Sequence, residues 1–313
     1  MVKYVSGLSR ESVIVVEGLV SVPGVEIKGT TQQVEVQVRK LYCVSKAAVL
    51  PINFEDAVRS DAEIEKALQI FKQFLLSEGF FEIHTPKLTA GSSEGGAAVF
   101  RLDYNGQPAC LAQSPQLYKQ MVICGDFGRL FEIGGIYRAE NSHTHRHLCE
   151  FTGLDVEMEI DWHYSEVMDI FDLLFVTIFY TLNETCQKDL EAVGRQYPFE
   201  PLKYLPETLR LTFEEGVQML KDDGVEVDPM GDLNTEAKRK LGQLVLEKYG
   251  TEFYILHRYP LAVRPFYMMP CHDNPAYSNS FDVFIGGEEI ISGAQRVYVL
   301  ELLEEGHKHV ALN

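Results

Sequence analysis

The feature that most constrains this chain is the stretch of residues 131–160, FEIGGIYRAENSHTHRHLCEFTGLDVEMEI, which reads as strand, polar loop, strand. Side chains alternate along an extended backbone, so on the second strand Phe151, Asp155, Glu157 and Glu159 fall on one face, while Leu154, Val156, Met158 and Ile160 fall on the other. The apolar face must be buried in a core. The acidic face is either the solvated outside of a sheet or the floor of a ligand site, and alternation alone does not separate the two.

The rest of the chain supplies what such a hairpin needs around it. Residues 13–45 have strand character, with Val34, Val36 and Val38 alternating against Glu35, Gln37 and Arg39 after the apolar run of residues 13–16. The pattern breaks over residues 51–59. Ser60 and Glu63 then have capping-box spacing before a helix with Ile64, Leu68, Phe71 and Leu75 on one face. Strands and hairpins fill residues 79–160, and a helix follows over residues 165–186. A second capping box, Thr212 with Glu215, opens another helix, and a third over residues 235–249 stops at Gly250. Strand signals return at residues 251–259 and 281–299. Strands, then helices, then strands without regular βαβ alternation predict an α+β fold, an antiparallel sheet flanked by helices. The expected domains are a small β module over residues 1–59 and a larger domain over residues 60–313.

Composition narrows the function classes. The chain has 313 residues, 46% of them hydrophobic and 24% charged, which suits a packed globular protein rather than a disordered one. Its formal charge of -18 is uneven: residues 1–59 carry seven Lys and Arg against six Asp and Glu, so the acidic excess lies in the remainder. Bulk charge thus argues against strong nonspecific binding of RNA, although a local basic patch is not excluded. The six cysteines form no CxxC pair, so neither a zinc knuckle nor a redox motif is indicated, and reduced thiols in the cytoplasm fit best. The longest apolar stretch, residues 173–182, is shorter than the ~18 residues of a membrane helix, and residues 1–4 lead into no signal core. The expectation is a soluble, untargeted, cytoplasmic protein with no membrane partner.

Further segments could carry chemistry. Ser114-Pro115 reads as an N-cap followed by proline at the first helical position, which sets Gln116 and Lys119 one turn apart on a common helix face. The glycine-rich loop Gly91-Ser92-Ser93-Glu94-Gly95-Gly96 is undistinguished taken alone. Residues 281–296, FDVFIGGEEIISGAQR, form a hairpin signal around Gly286-Gly287. In that register Ile285 faces Glu288 and Phe284 faces Glu289, so Asp282 and Glu289 share a face as near-diagonal neighbours. Two carboxylates so close repel each other unless a cation or solvent intervenes. His143, His145 and His147 alternate along one side of an extended segment; a metal site and three solvated loop histidines are both open, the second being the commoner outcome where no other ligand cluster is evident.

Taken together, Arg138-Ala139-Glu140, Thr144-His145-Arg146-His147, Glu150-Phe151 and Gly153-Leu154-Asp155 resemble motif 2 of the class II tRNA synthetases in its aspartate-specific form. Residues 111–120 are similar to the SPQLxKQ element of the aspartate enzymes, residues 91–96 to their SEGG loop, and residues 79–86 to motif 1. The likeness is very specific over residues 79–296 and closest in wording to plant cytosolic aspartate–tRNA ligases. It decides between the two readings of the acidic face in favour of a ligand floor. By this resemblance Arg138 holds the α-phosphate of ATP and the reacting carboxylate, His147 reaches the far phosphates, Phe151 stacks under adenine, and Glu140 contacts nucleotide or the tRNA end. Ser93, Glu94, Gln116, Lys119, Asp155, Ser292 and Arg296 are implied to bind aspartate: Asp155 takes its ammonium, and Lys119 and Arg296 its side-chain carboxylate. Asp282 and Glu289 are implied to hold Mg²⁺ against the ATP phosphates. The implied activity is ATP-dependent activation of aspartate and its transfer to tRNA(Asp), by a homodimer built through motif 1. The module of residues 1–59 resembles part of an OB-type anticodon-binding barrel.

Some features depart from the family pattern. No arginine follows Arg296, so the motif 3 arginine expected to cover adenine opposite Phe151 is absent, and the leading part of the OB-type barrel is missing. The stretch between the β module and motif 1 is short, Gly135 stands where proline is usual, and Gly286 replaces a basic residue. These departures admit a second reading, a non-catalytic relative that binds aspartate, nucleotide or a full-length subunit.

Overall fold

The computed structural model describes residues 2–5, 8, 12–24, 33–45, 61–91, 99–141 and 148–311. The chain divides into two compact units, Met1–Ile64 and Glu65–Asn313. In the first, β1 (Val13–Ser21) and β2 (Glu35–Ser45) pair antiparallel as a two-stranded ribbon, where the valine alternation had pointed to strands. The capping box expected at Ser60 and Glu63 falls outside the described side chains.

The larger unit carries, in chain order, α1 (Asp61–Ser77), β3 (Phe81–Glu82), β4 (Leu88–Thr89), β5 (Arg101–Tyr104), β6 (Gln107–Leu111), α2 (Gln116–Ile123), β7 (Arg129–Tyr137) and β8 (Glu150–Met158). Then come α3 (Ser165–Thr185), α4 (Gln187–Gln196), β9 (Leu209–Thr212), α5 (Phe213–Asp222), α6 (Thr235–Tyr249), β10 (Phe253–His257), β11 (Ser280–Ile285), β12 (Glu288–Ala294) and α7 (Leu300–Ala311). Three sheets result, with strand orders β3-β7-β8, β4-β6-β5 and β12-β11-β10-β9. Pairing is antiparallel except at two edges, where β3 lies parallel to β7 and β9 parallel to β10. The second exception follows from chain length: β9 and β10 are joined through α5 and α6, and a helical crossover returns a strand in the same direction. No helix of the described residues is long and apolar enough to cross a membrane.

One core joins two of the sheets. Phe131, Ile133, Val156 and Met158 from β7 and β8 pack with Phe253, Ile255, Phe281 and Val283 from the four-stranded sheet, together with Phe71 and Leu75 of α1 and Met168, Phe171 and Leu174 of α3. The opposite face of the four-stranded sheet buries Leu211, Tyr254, Leu256 and Phe284 against Val217, Leu220, Leu241 and Val245 of α5 and α6. A sheet buried on both faces cannot show polar and apolar alternation, and β10 accordingly reads as a continuous apolar run.

Helix ends are set by the expected chemistry. Thr212 accepts from the Glu215 N–H at 3.2 Å while the Glu215 carboxylate accepts from Thr212, a complete capping box. Gly250 ends α6 in the left-handed conformation. The β11–β12 turn needs positive φ at both Gly286 and Gly287 (58° and 82°), and it lies so close to α6 that a Cβ on Gly242 would stand 2.5 Å from the Gly287 nitrogen.

Where α3 meets the four-stranded sheet, Tyr164 Oη lies 2.8 Å from His257 Nδ1. Burial, reinforced by Arg258, pushes His257 down to about 4, and burial pushes the Tyr164 phenol up, so the imidazole is neutral and the phenol protonated. The unfolded chain takes up this histidine's proton near pH 6.5 and the folded chain only near 4, so stability is full above about 6.5 and falls as pH drops between the two values. Denaturant titrations at pH 7 and pH 4.5 should show wild type losing on the order of 2 kcal/mol more than His257→Gln; equal losses would show that this histidine does not drive the acid sensitivity.

Candidate active site

The acidic face of β8 is covered by a helix that brings its own cation. Helix α2 begins at Gln116, one residue later than the sequence suggested, with the Gln116 N–H donating to Ser114 Oγ at 3.3 Å. One turn on, Lys119 is 3% exposed, and its Nζ reaches Asp155 Oδ1 at 3.1 Å, Glu157 Oε2 at 3.4 Å and the Val156 carbonyl at 3.5 Å. Gln116 Nε2 donates to the same Glu157 oxygen at 3.2 Å. Asp155 and the Val156 carbonyl accept hydrogen bonds from the ammonium, and the Glu157 carboxylate adds an ion-pair contact. Gln116, Lys119 and Asp155 are thus brought into one contact set, with Glu157 as a member that sequence reading left unassigned.

A second cation serves the neighbouring strand. Glu132, 2% exposed and paired across the ladder with Asp155, accepts from Lys87 Nζ at 2.6 Å, from Thr85 Oγ1 at 2.7 Å and from the Thr85 N–H at 3.1 Å. The floor therefore carries three carboxylates against two lysines, an arrangement that suits a further positive group. Sequence reading missed Thr85, Lys87 and Glu132; the signal for Glu132 was its register opposite Asp155.

Arg138 leaves the end of β7, with its backbone N–H on the Cys149 carbonyl at 2.9 Å and its Nε on the Gln113 carbonyl at 3.3 Å. Its guanidinium lies 5.7 Å from the Phe151 ring centroid, so the residues implied for phosphate and for adenine lie together. The Glu140 N–H bonds the Arg138 carbonyl at 2.8 Å. His143, His145 and His147 lie in residues 142–147, and Ser93 and Glu94 in residues 92–98, outside the described residues. Among the described residues no cluster of three metal-ligating side chains occurs.

In the β11–β12 hairpin, Ile285 pairs with Glu288 and Phe284 with Glu289, as the turn demanded. A register shift then accommodates Ile290, so that Val283 meets Ile291 and Asp282 meets Ser292. An unbroken ladder would have set Asp282 against Ile291; the bulge instead puts the implied metal ligand directly across from the implied substrate contact. The repulsion between the two acids is relieved by protein cations. Asp282, 1% exposed, takes Arg264 at 2.7 Å, and Glu289 takes Lys238 of α6 at 2.9 Å. Arg264 lies 3.8 Å from the Tyr259 ring centroid, while its Nε and Asp282 Oδ1 are buried without hydrogen-bond partners. The Tyr259 hydroxyl is close by but outside hydrogen-bond geometry, and burial together with the Asp282 charge pushes it well above the usual phenol range.

Arg296 pairs with Met268 in an isolated bridge and sets its guanidinium 4.4 Å from the Tyr267 ring centroid. The Lys119 set and the Asp282 set both lie on sheet faces turned away from the core that β7, β8, β10 and β11 share. All six cysteines are free thiols.

Residues 54–313 match the family model described as tRNA synthetases class II (D, K and N). Over 97% of its length the chain is 63% identical to aspartate–tRNA ligase 2, cytoplasmic, of Arabidopsis thaliana, and 59% identical to aspartate–tRNA ligase 1, cytoplasmic, of the same plant. It spans 62% and 65% of those proteins. It is 45% identical over 99% of its length to the human cytoplasmic aspartate–tRNA ligase, of which it spans 69%. Among solved structures it resembles a putative aspartyl-tRNA synthetase from Leishmania major Friedlin, with a TM-score of 0.75 and 36% identity over 100% of this chain and 73% of that one. An asparaginyl-tRNA synthetase from Pyrococcus horikoshii matches with a TM-score of 0.69 and 26% identity, over 99% of this chain and 74% of that one. A buried helix lysine paired with the acids of a strand, an arginine against a phenylalanine at the mouth of the same hairpin, and these matches lead to one conclusion: the chain belongs to the class II tRNA synthetases of the D, K and N group.

Proposed function

We propose that this chain carries the amino-acid and ATP site of a cytoplasmic aspartate–tRNA ligase, activating aspartate with ATP for transfer to tRNA(Asp). The observation that carries this reading is the buried Lys119, ion-paired with both Asp155 and Glu157. Aspartate brings one ammonium and one side-chain carboxylate. Its ammonium takes over Asp155, and its carboxylate then receives the Lys119 proton that Asp155 gives up, so the ion pair opens by insertion of a molecule with the same two charges. Asparagine has the ammonium but not the carboxylate, and would leave a buried lysine facing a neutral amide. Arg296, already oriented against Tyr267, is the second cation for that carboxylate.

Activation is attack of the aspartate α-carboxylate on the α-phosphorus of ATP with loss of pyrophosphate, and it asks the protein for alignment and charge stabilisation rather than for a nucleophile. Arg138 supplies a planar fork of donors for the carboxylate and phosphate oxygens, Phe151 offers a face for the base, and Glu140 with His147 extends the nucleotide contacts. Ser93, Glu94, Gln116 and Ser292 complete the amino-acid contacts in this reading. The donor set fits Mg²⁺: Asp282 Oδ1 is a buried acceptor without a hydrogen bond, and Glu289 is the second carboxylate. When bound there, Mg²⁺ would neutralise charge on the phosphates.

Residues 1–59 are proposed as part of an OB-type module for the tRNA, and residues 60–313 as the synthetase domain. A homodimer is supported by the exposed aromatic pair Phe81 and Phe127, 5.7 Å between centroids, beside the segment that resembles motif 1.

Aspartate-dependent exchange of pyrophosphate into ATP by the purified chain tests the proposal, with asparagine alongside. Exchange with aspartate well above that with asparagine is expected; binding of aspartate or ATP without exchange would reassign the chain as a binding module, and equal signals would remove the specificity claim. Arg296→Gln should lower kcat/KM for aspartate by roughly 10- to 150-fold, the weight of a lost hydrogen bond to a charged group, while leaving the small asparagine rate unchanged. A parallel fall for both amino acids would mean that Arg296 serves the fold rather than the choice of side chain.

A further inference from the structure

Asp282 and Glu289 of the β11–β12 hairpin are neutralised in unequal ways. The Asp282–Arg264 pair is buried on both sides, with side-chain exposures of 2% and 15%, and its guanidinium is stacked on the buried Tyr259 ring. Removing Arg264 would strand a buried charge, so this pair is permanent. The Glu289–Lys238 pair is looser: the two side chains are 28% and 19% exposed, and Lys238 reaches in from α6, a separate element on a flexible stem. Lys238 has a ready alternative in solvent, and Glu289 has one in any other cation.

We propose that Lys238 is a competing internal cation that occupies Glu289 until a divalent ion displaces it, and so keeps the hairpin a poor binder of metal alone. The proposal rests on the reading of Asp282 and Glu289 as a Mg²⁺ site. Arg264 lowers the charge felt by an incoming ion but leaves Asp282 Oδ1 unclaimed, whereas Lys238 sits on the carboxylate that must turn to the ion. Free metal ion has to displace an ammonium for one or two carboxylate contacts. An ion arriving with nucleotide also keeps its phosphate oxygens, so the same displacement is offset by ligands the protein need not supply. Lys238 thereby couples metal entry to nucleotide entry. Its neighbour Arg239 pairs with Glu288 at 2.8 Å, and Lys240 with Asp223 at 2.7 Å, so three consecutive cations of α6 have three different acids and only one of these acids belongs to the site.

Binding of Mn²⁺ alone to the full chain, followed by the electron paramagnetic resonance of the free ion, tests this without reference to activity. Lys238→Gln should bind Mn²⁺ roughly two- to fivefold more tightly than wild type, the range for releasing a partly exposed ion pair. Lys238→Arg, which keeps the charge, should not gain. Lys240→Gln removes an equal charge two residues away and should not gain either, and in a Glu289→Gln background the effect of Lys238→Gln should vanish. Unchanged affinity in Lys238→Gln while wild type binds at Glu289, or an equal gain in Lys240→Gln, overturns the proposal. If wild type and Glu289→Gln titrate identically even with ATP present, the metal site itself falls and the proposal with it.

Discussion

The architecture of the site depends on one buried ammonium. Placing Lys119 at 3% exposure costs free energy unless its charge is matched, and the match comes from Asp155, Glu157 and a backbone carbonyl of the same strand. That requirement holds α2 against the face of β8 opposite the one that Val156 and Met158 turn into the core. The paired register of Glu132 with Asp155, and the Lys87 bridge onto Glu132, extend the same rule to β7 and to the segment leading into β4. Charge is distributed here so that each of these acids has a donor: Lys119 for Asp155, Gln116 for Glu157, and Lys87 with Thr85 for Glu132.

Much of this was legible in the sequence because it is local. The two faces of β8, the capping box at Thr212, the stop at Gly250 and the turn at Gly286-Gly287 each follow from residues within a few positions of one another. Gln116 and Lys119 were legible for the same reason, being one helical turn apart. The partners were not. Lys87 with Glu132, Arg264 with Asp282 and Lys238 with Glu289 are separated by 45, 18 and 51 positions, and no periodicity reports a contact at such range. Asp282 and Glu289 share a face as the turn implies, and the chain relieves their repulsion with its own cations.

The bulge at Ile290 shows why pattern alone misplaces a site by one residue. The hairpin turn set the first two pairs correctly, and extrapolating that ladder would have faced Ser292 toward Phe281. One extra residue reverses the parity beyond it, so that Ser292 joins Asp282. The parallel pairing of β9 with β10 is equally non-local: β10 is apolar on both faces, and only the long helical connection between the strands states their direction.

Both charged clusters lie on faces turned from a single shared core, and this has an energetic consequence. Phe131, Val156, Phe253, Ile255, Phe281 and Val283 interlock beneath β7, β8, β10 and β11, so the acids above them are carried on strands that cannot shift independently. A rigid floor can hold like charges in place only if each is paired, and the pairs differ in how readily they open. Asp282 with Arg264 is closed on both sides and acts as scaffold. Asp155 with Lys119 and Glu289 with Lys238 are each exposed on the acid by about a quarter, 27% and 28%, so these two pairs open more readily. Without a ligand, each of these two acids is held in place by an internal ammonium, Lys119 on Asp155 and Lys238 on Glu289.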